Sequence, residues 1–112
     1  LGTVVNELAQ ATDLGVILDE AALPVDRTVL GACDLLGIDP IYVANEGCFV
    51  AVVPAADADA ALAALRALPG GGGATLVGDL VEEPPGVVAM RTTFGGTRIV
   101  DMLVGDPLPR IC

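Results

Sequence analysis

Histidine, lysine and tryptophan are absent from this chain, and two Phe and one Tyr are its whole aromatic content. Without histidine the chain lacks the commonest general base near neutrality and the commonest metal ligand. Without lysine its positive charge is five arginines, Arg27, Arg66, Arg91, Arg98 and Arg110, set against 15 acidic residues for a net charge of −10. A nucleic-acid surface needs clustered positive charge, so no nucleic-acid partner is expected. No apolar run approaches the roughly eighteen residues of a membrane span, so no membrane partner is expected either. Cys33, Cys48 and Cys112 are an odd count without CxxC spacing. That pattern argues against a disulfide framework and a zinc site, and fits a reducing cytoplasm. No secretory leader is visible, and Leu1 in place of Met is expected of a piece cut from something longer.

What is present suits one domain. The 112 residues are 54% apolar, so the expected core is Val, Leu, Ile and Ala packed between helices and strands. Val4, Val5 and Leu8 give a helical stripe over residues 2 to 13, with Gly15 as the stop. Val16 to Asp19 reads as a short strand. Asp26 is a plausible N-cap for a helix running to Leu36, closed by Gly37 with Pro40 beyond it. Residues 41 to 44 and 48 to 53 read as a hairpin about Asn45-Glu46-Gly47. Pro54 opens an Ala-rich helix over 55 to 68, with Ala61, Leu62, Leu65 and Leu68 on one face. After the break at Gly70 to Gly73, three runs read as a meander: Thr75 to Glu83, Val87 to Thr93 and Arg98 to Leu103. Helices interleaved with mostly antiparallel strands predict a layered α+β domain over residues 1 to 103, with residues 104 to 112 as a tail.

The tail is the informative part. It stops at Pro109-Arg110-Ile111-Cys112, a thiol with no chain after it to pack. Pro107 and Pro109 bias it toward extended geometry, and from Val104 to Cys112 it could reach on the order of 30 Å. That is an arm able to carry a thiol between two places. The thiolate is the reactive form, and a free thiol has a pKa of about 8.5. The neighbouring terminal carboxylate pushes that upward, while Arg110, two residues away, offsets it or meets a phosphate or a partner's carboxylate.

Five stretches carry a resemblance: Leu1-Gly2-Thr3-Val4-Val5-Asn6-Glu7, Ala22-Leu23-Pro24-Val25, Leu35-Leu36-Gly37-Ile38-Asp39-Pro40, Ala44-Asn45-Glu46-Gly47 and the terminal Pro109-Arg110-Ile111-Cys112. Together they resemble the C-terminal domain of the HypE family of hydrogenase maturation proteins, within the PurM/AIR-synthetase superfamily. The resemblance implies an α/β/α layered sandwich with a mixed, mostly antiparallel sheet. It also implies a chemistry, in which the carbamoyltransferase HypF loads a carbamoyl group onto Cys112. ATP, with Mg2+, then drives dehydration of that thiocarboxamide to a thiocyanate. The cyano group passes to iron on the HypC–HypD complex as a ligand of the [NiFe] hydrogenase site. Glu46 is implied as the catalytic carboxylate that removes the amide proton. The family's main ATP-binding domain, which also supplies most of a homodimer contact, would precede Leu1. The isolated domain is therefore expected to hold no cofactor and not to turn over.

Other residues read more plainly. Cys33 is in register with Val29, Leu30 and Leu36 as a small core residue, and Cys48 reads as packing. Asn45 is expected to form the turn with positive φ or a side-chain cap. Gly70 to Gly73 lacks the Lys-Ser/Thr of a phosphate loop and precedes a strand, so it reads as a connector. Asn6-Glu7 is assigned at most a supporting polar role near nucleotide, and Glu82-Glu83 a solvated hairpin end. Two rival functions are a different ATP-using enzyme of the same superfamily, which has no need of a terminal cysteine, and a non-catalytic module whose tail docks a partner.

Overall fold

The computed structural model describes residues 1–102, so Leu103 and the tail, with Arg110 and Cys112, lie outside the described residues. Helix α1 spans Gly2–Thr12 and ends with Asp13 in the left-handed region at φ 53, two residues before the expected stop at Gly15. Aspartate tolerates that conformation better than most residues with a Cβ. Strand β1 follows at Gly15–Asp19. Helix α2, Arg27–Leu36, is capped as expected: the Asp26 carboxylate accepts from the Thr28 N–H at 2.8 Å. Gly37, at φ 67, closes it, and the Ile38 N–H donates back to the Cys33 carbonyl at 2.9 Å in a Schellman-type end. Helix α3 is Ala58–Arg66, and strands β2, β3 and β4 are Gly78–Val81, Val88–Arg91 and Thr97–Ile99.

The four strands form one mixed sheet in the order β2-β1-β3-β4. β1 runs antiparallel to β2 and parallel to β3, and β3 runs antiparallel to β4. The layered α+β class with a mostly antiparallel mixed sheet is therefore what forms. The meander is not. β1 inserts between β2 and β3, so the Pro84-Pro85-Gly86 turn joins strands that are not neighbours. The sequence places the alternating runs correctly but does not encode which strand separates them. Gly78 permits the close β1–β2 pairing, because a Cβ there would meet the Ile17 carbonyl oxygen at 2.2 Å.

The alternation of β1 and β3 turns Val16, Leu18, Val88 and Met90 to one face, where Val5 and Ala9 of α1, Ile41 and Val100 complete the core. Leu18 and Met90 are each 1% exposed. On α3, the stripe Ala58, Ala61, Leu62 and Leu65 is half-buried, whereas Leu68, expected on that face, is exposed. No helix among the described residues is long and apolar enough to cross a membrane.

The hairpin expected over residues 41 to 53 is absent. Asp39 caps a 3-10 turn at Pro40–Tyr42 by accepting from the Ile41 N–H, which folds the first run into a turn. Residues 48 to 54 take no regular secondary structure, and Phe49, Val50, Val52 and Val53 stay exposed. A strand needs a partner, and among the described residues this run pairs with neither of the sheet's outer strands, β2 and β4.

Replacing Leu18 by Ala should remove a fully buried side chain at the centre of the sheet. Urea unfolding is expected to show a loss of about 2–5 kcal/mol with an unchanged dependence on denaturant.

Candidate functional site

Glu46 is exposed, between the Pro40–Tyr42 turn and the irregular run that begins at Cys48. Among the described residues no side-chain hydrogen bond or ion pair engages it. The positive φ of this turn belongs to Gly47, at 78°, not to Asn45. Glycine adopts that region without a Cβ penalty, so the turn has no need of asparagine there. Cys48 is exposed rather than packed, a correction that follows from the missing strand, whereas Cys33 is buried as expected. The structure thus presents Glu46 openly on a turn, while Arg110 and Cys112, its expected companions in the site, lie outside the described residues.

What the structure does define is the point from which the tail departs. Past β4, the Val100 N–H donates to the Val88 carbonyl at 2.8 Å, extending the β3–β4 pairing by one residue, and Val100 is 0% exposed. The Val100 carbonyl accepts from Nδ2 of Asn6 at 2.8 Å, and the same amide group donates to the Gly2 carbonyl at 2.9 Å. Asn6 is buried, and no buried side-chain polar atom among the described residues is left without a partner. One residue on, the Asp101 carbonyl accepts from the Tyr42 hydroxyl at 2.8 Å. Consecutive carbonyls are therefore held by two different elements, the first by α1 and the second by the Pro40–Tyr42 turn.

That turn is itself fixed from several sides. Asp39 accepts from the Ile41 N–H with Oδ1 and forms an ion pair with Arg98 of β4 through Oδ2, at 2.5 Å. Both partners are about one-third exposed, so the pair adds orientation more than stability. Ile41 is buried in the core, and its carbonyl accepts from the Leu1 nitrogen. Gly2 leaves room for the aromatic ring: a Cβ there would stand 2.7 Å from Cε1 of Tyr42. Beside this junction lies a shallow depression of about 510 Å3, lined by Asn6, Gln10, Val88, Ile99, Asp101 and Met102. It is mostly apolar and open, and offers no cluster of acid–base groups.

Sequence reasoning placed Asn6 near nucleotide in a supporting role. In the described structure its amide instead faces inward and ties α1 to Val100. The association of Tyr42, Asp39 and Arg98 had no local signal, since it depends on contacts 59 residues apart.

A mixed four-stranded sheet with α1 against one face and a tethered C-terminal strand defines a layered α+β domain. The chain belongs to the family of the AIR synthase related protein, C-terminal domain, whose model matches residues 1–91. It is 56% identical over all 112 residues to the carbamoyl dehydratase HypE of Rhodobacter capsulatus and 54% identical over 112 residues to that of Cupriavidus necator. It spans only 33% and 32% of those relatives' lengths. A crystal structure of the hydrogenase maturation protein HypE superposes with a TM-score of 0.91 at 40% identity, covering 100% of this chain and 37% of that one. HypE in complex with ATP superposes at 0.87 with 37% identity, over 96% of this chain and 34% of that one. A HypE–HypF complex gives 0.84 at 33% identity, over 89% of this chain and 32% of that one. The resemblance to HypE drawn from the five stretches is borne out.

Tyr42 also makes the junction sensitive to alkali. Partial burial holds its hydroxyl proton above the ordinary value of 10.0, and Asp39 and Asp101 add to this while Arg98 and the bond to the Asp101 carbonyl oppose it. A folded-state value above the unfolded one means stability that is present below the unfolded value and lost as pH rises through the folded one. Thermal melts from pH 9 upward are expected to show a Tyr42-dependent loss, and Tyr42→Phe should flatten that part of the profile.

Proposed function

We propose that this domain belongs to a longer protein that uses ATP to dehydrate a carbamoyl group carried on Cys112, giving the thiocyanate from which hydrogenase cyanide ligands are made. The observation that carries this reading is the 56% identity to a carbamoyl dehydratase HypE, over an alignment that spans all 112 residues and so reaches the end of the chain at Cys112. Solved structures of HypE with ATP and of HypE with HypF support ATP as the co-substrate and a carbamoyltransferase as the loading partner.

The chemistry follows from the residues. The Cys112 thiolate attacks the carbonyl carbon of a carbamoyl group held on HypF, forming an S–C bond as the bond from that carbon to its previous carrier breaks and the carrier leaves with the electron pair. The carbonyl oxygen of the resulting thiocarboxamide attacks the γ-phosphorus of ATP and releases ADP, while the nitrogen gives up one proton. The C–O bond then breaks with phosphate as the leaving group, Glu46 takes the remaining N–H proton, and a C≡N bond results. The sum is thiocarboxamide plus ATP to thiocyanate, ADP and phosphate. Arg110 lies two residues from the reacting sulfur, where a guanidinium suits phosphate or a partner carboxylate. Nucleotide, with Mg2+, is assigned to the part of the longer protein that precedes Leu1, along with most of a homodimer contact. The HypC–HypD complex is assigned as the acceptor of the cyano group. Glu46, exposed here, then works where that preceding part brings it to the carbamoylated tail, within hydrogen-bond reach of the nitrogen.

Mass spectrometry of the full-length protein tests this. Incubation with its carbamoyltransferase, carbamoyl phosphate and ATP should add a carbamoyl mass to the Cys112 peptide, then subtract one water. Cys112→Ala should take no adduct and keep its melting temperature. Glu46→Gln should load normally and then stall, with dehydration slowed by about 10²–10⁴-fold. A wild-type tail that stays unmodified beside an active carbamoyltransferase would overturn the assignment, and full-rate dehydration in Glu46→Gln would remove Glu46 from it.

A further inference from the structure

We infer that Asn6 and Tyr42 are positioning residues for the carrier tail: by holding the consecutive carbonyls of Val100 and Asp101, they fix where the tail leaves the domain and in which direction. This rests on the proposed function for its consequence, but the anchorage itself stands on geometry alone.

A strand of three residues at the edge of a sheet is ordinarily the first part of a domain to fray. β4 is such a strand, and its last hydrogen bond to β3 is made at Val100. Two side chains from separate elements hold the chain just past that point. The Asn6 amide is buried and donates to the Val100 carbonyl at 2.8 Å, and the Tyr42 hydroxyl donates to the next carbonyl at 2.8 Å. Neither donor belongs to the sheet. Holding two successive peptide units fixes both a position and a heading, which a single contact would not do.

The supporting contacts point the same way. The Asp39–Arg98 pair ties the turn that carries Tyr42 to β4 itself, 59 residues on. Gly2 leaves the space into which the Tyr42 ring packs. Turn, helix and strand thus meet at one junction, and that junction is where the reactive arm begins.

The benefit to catalysis is a matter of effective concentration. An arm of eleven residues from Met102 to Cys112 could reach about 35–40 Å when extended. A fixed origin confines the thiol to a region set by that reach. A frayed origin lengthens the arm and blurs its direction, which lowers the frequency of productive encounters within the same molecule. Loading is different, because HypF approaches from solution and can take the tail wherever it lies. Loss of the anchorage should therefore slow the step inside the molecule and spare the step between molecules.

The test uses the full-length protein, with Tyr42→Phe as the mild variant and Asn6→Ala as the stronger one. Tyr42→Phe deletes one O–H and keeps the ring, so it tests the proposal even if Asn6→Ala fails to fold. Single-turnover dehydration of pre-carbamoylated protein is expected to fall about fivefold for Tyr42→Phe, the effect of one ordinary hydrogen bond. KM for ATP and the rate of carbamoyl loading should not move. Hydrogen exchange should quicken at the amides of residues 100 to 102 and stay unchanged in β1. Equal slowing of loading and dehydration with a matching fall in melting temperature would make both residues merely structural and overturn the proposal, as would exchange and dehydration at wild-type rates. If the wild-type tail never acquires a carbamoyl mass, the functional reading fails instead, and the exchange measurement still decides whether the anchorage exists.

Discussion

Asn6 and Val100 stand 94 positions apart in the chain and 2.8 Å apart in space, and the domain closes across that hydrogen bond. Val100 fills the core beside Val5, Val88 and Met90, so its carbonyl is brought to the edge of an apolar interior where water cannot serve it well. A buried acceptor left unpaired costs about 1–3 kcal/mol, enough to matter to a domain of this size. An asparagine on the buried face of α1 satisfies it while also donating to its own helix at Gly2. Helix α1, the Tyr42 ring over Gly2 and the Asp101 carbonyl all meet around that closure.

Local rules carried much of the fold. Asp26 and Gly37 mark α2 because capping and the left-handed closing residue are properties of a few neighbouring positions, and the structure shows both. The alternating runs around Val16, Leu80, Val88 and Arg98 did become strands. Pairing order was not legible, because parallel association of β1 with β3 joins segments some seventy residues apart and leaves no mark on either. The residues 48 to 53 show the opposite failure. Their composition suits a strand, but β propensity expresses how well a residue fits a pleated, partnered surface, and here the partner is missing.

The chemistry was legible in a different way. Glu46 and the terminal Pro109-Arg110-Ile111-Cys112 stood out through resemblance to a family, not through any periodicity, and the relatives' names agree with that resemblance. Tyr42 and Arg98 did not stand out, and Asp39 entered only within the stretch from Leu35 to Pro40, since folding alone brings the three together. The role of Tyr42 is set by a backbone carbonyl and those of Asp39 and Arg98 by a pairing 59 residues apart, neither of which the sequence labels. Asn6 was read beside Glu7 as at most a supporting polar residue near nucleotide, and the structure gives its amide an internal purpose.

The placement of Val100 has a bearing on how the chain acquires its structure. The family's model ends its match at residue 91, the last residue of β3. Yet β3 without β4 would present an open edge from Ala89 to Arg91, and the core would lack the side chain of Val100. An uncovered strand edge of that kind is a template for pairing with other chains. Because β4 lies near the end of the described chain and α1 at its start, closure waits on one of the longest loops the chain can form, and such contacts form late and slowly. A growing polypeptide would therefore carry a sheet of β1, β2 and β3 with one exposed margin until β4 arrived. The cysteine at position 112 follows that strand in synthesis, so the carrier thiol would be made after the strand that completes its own support.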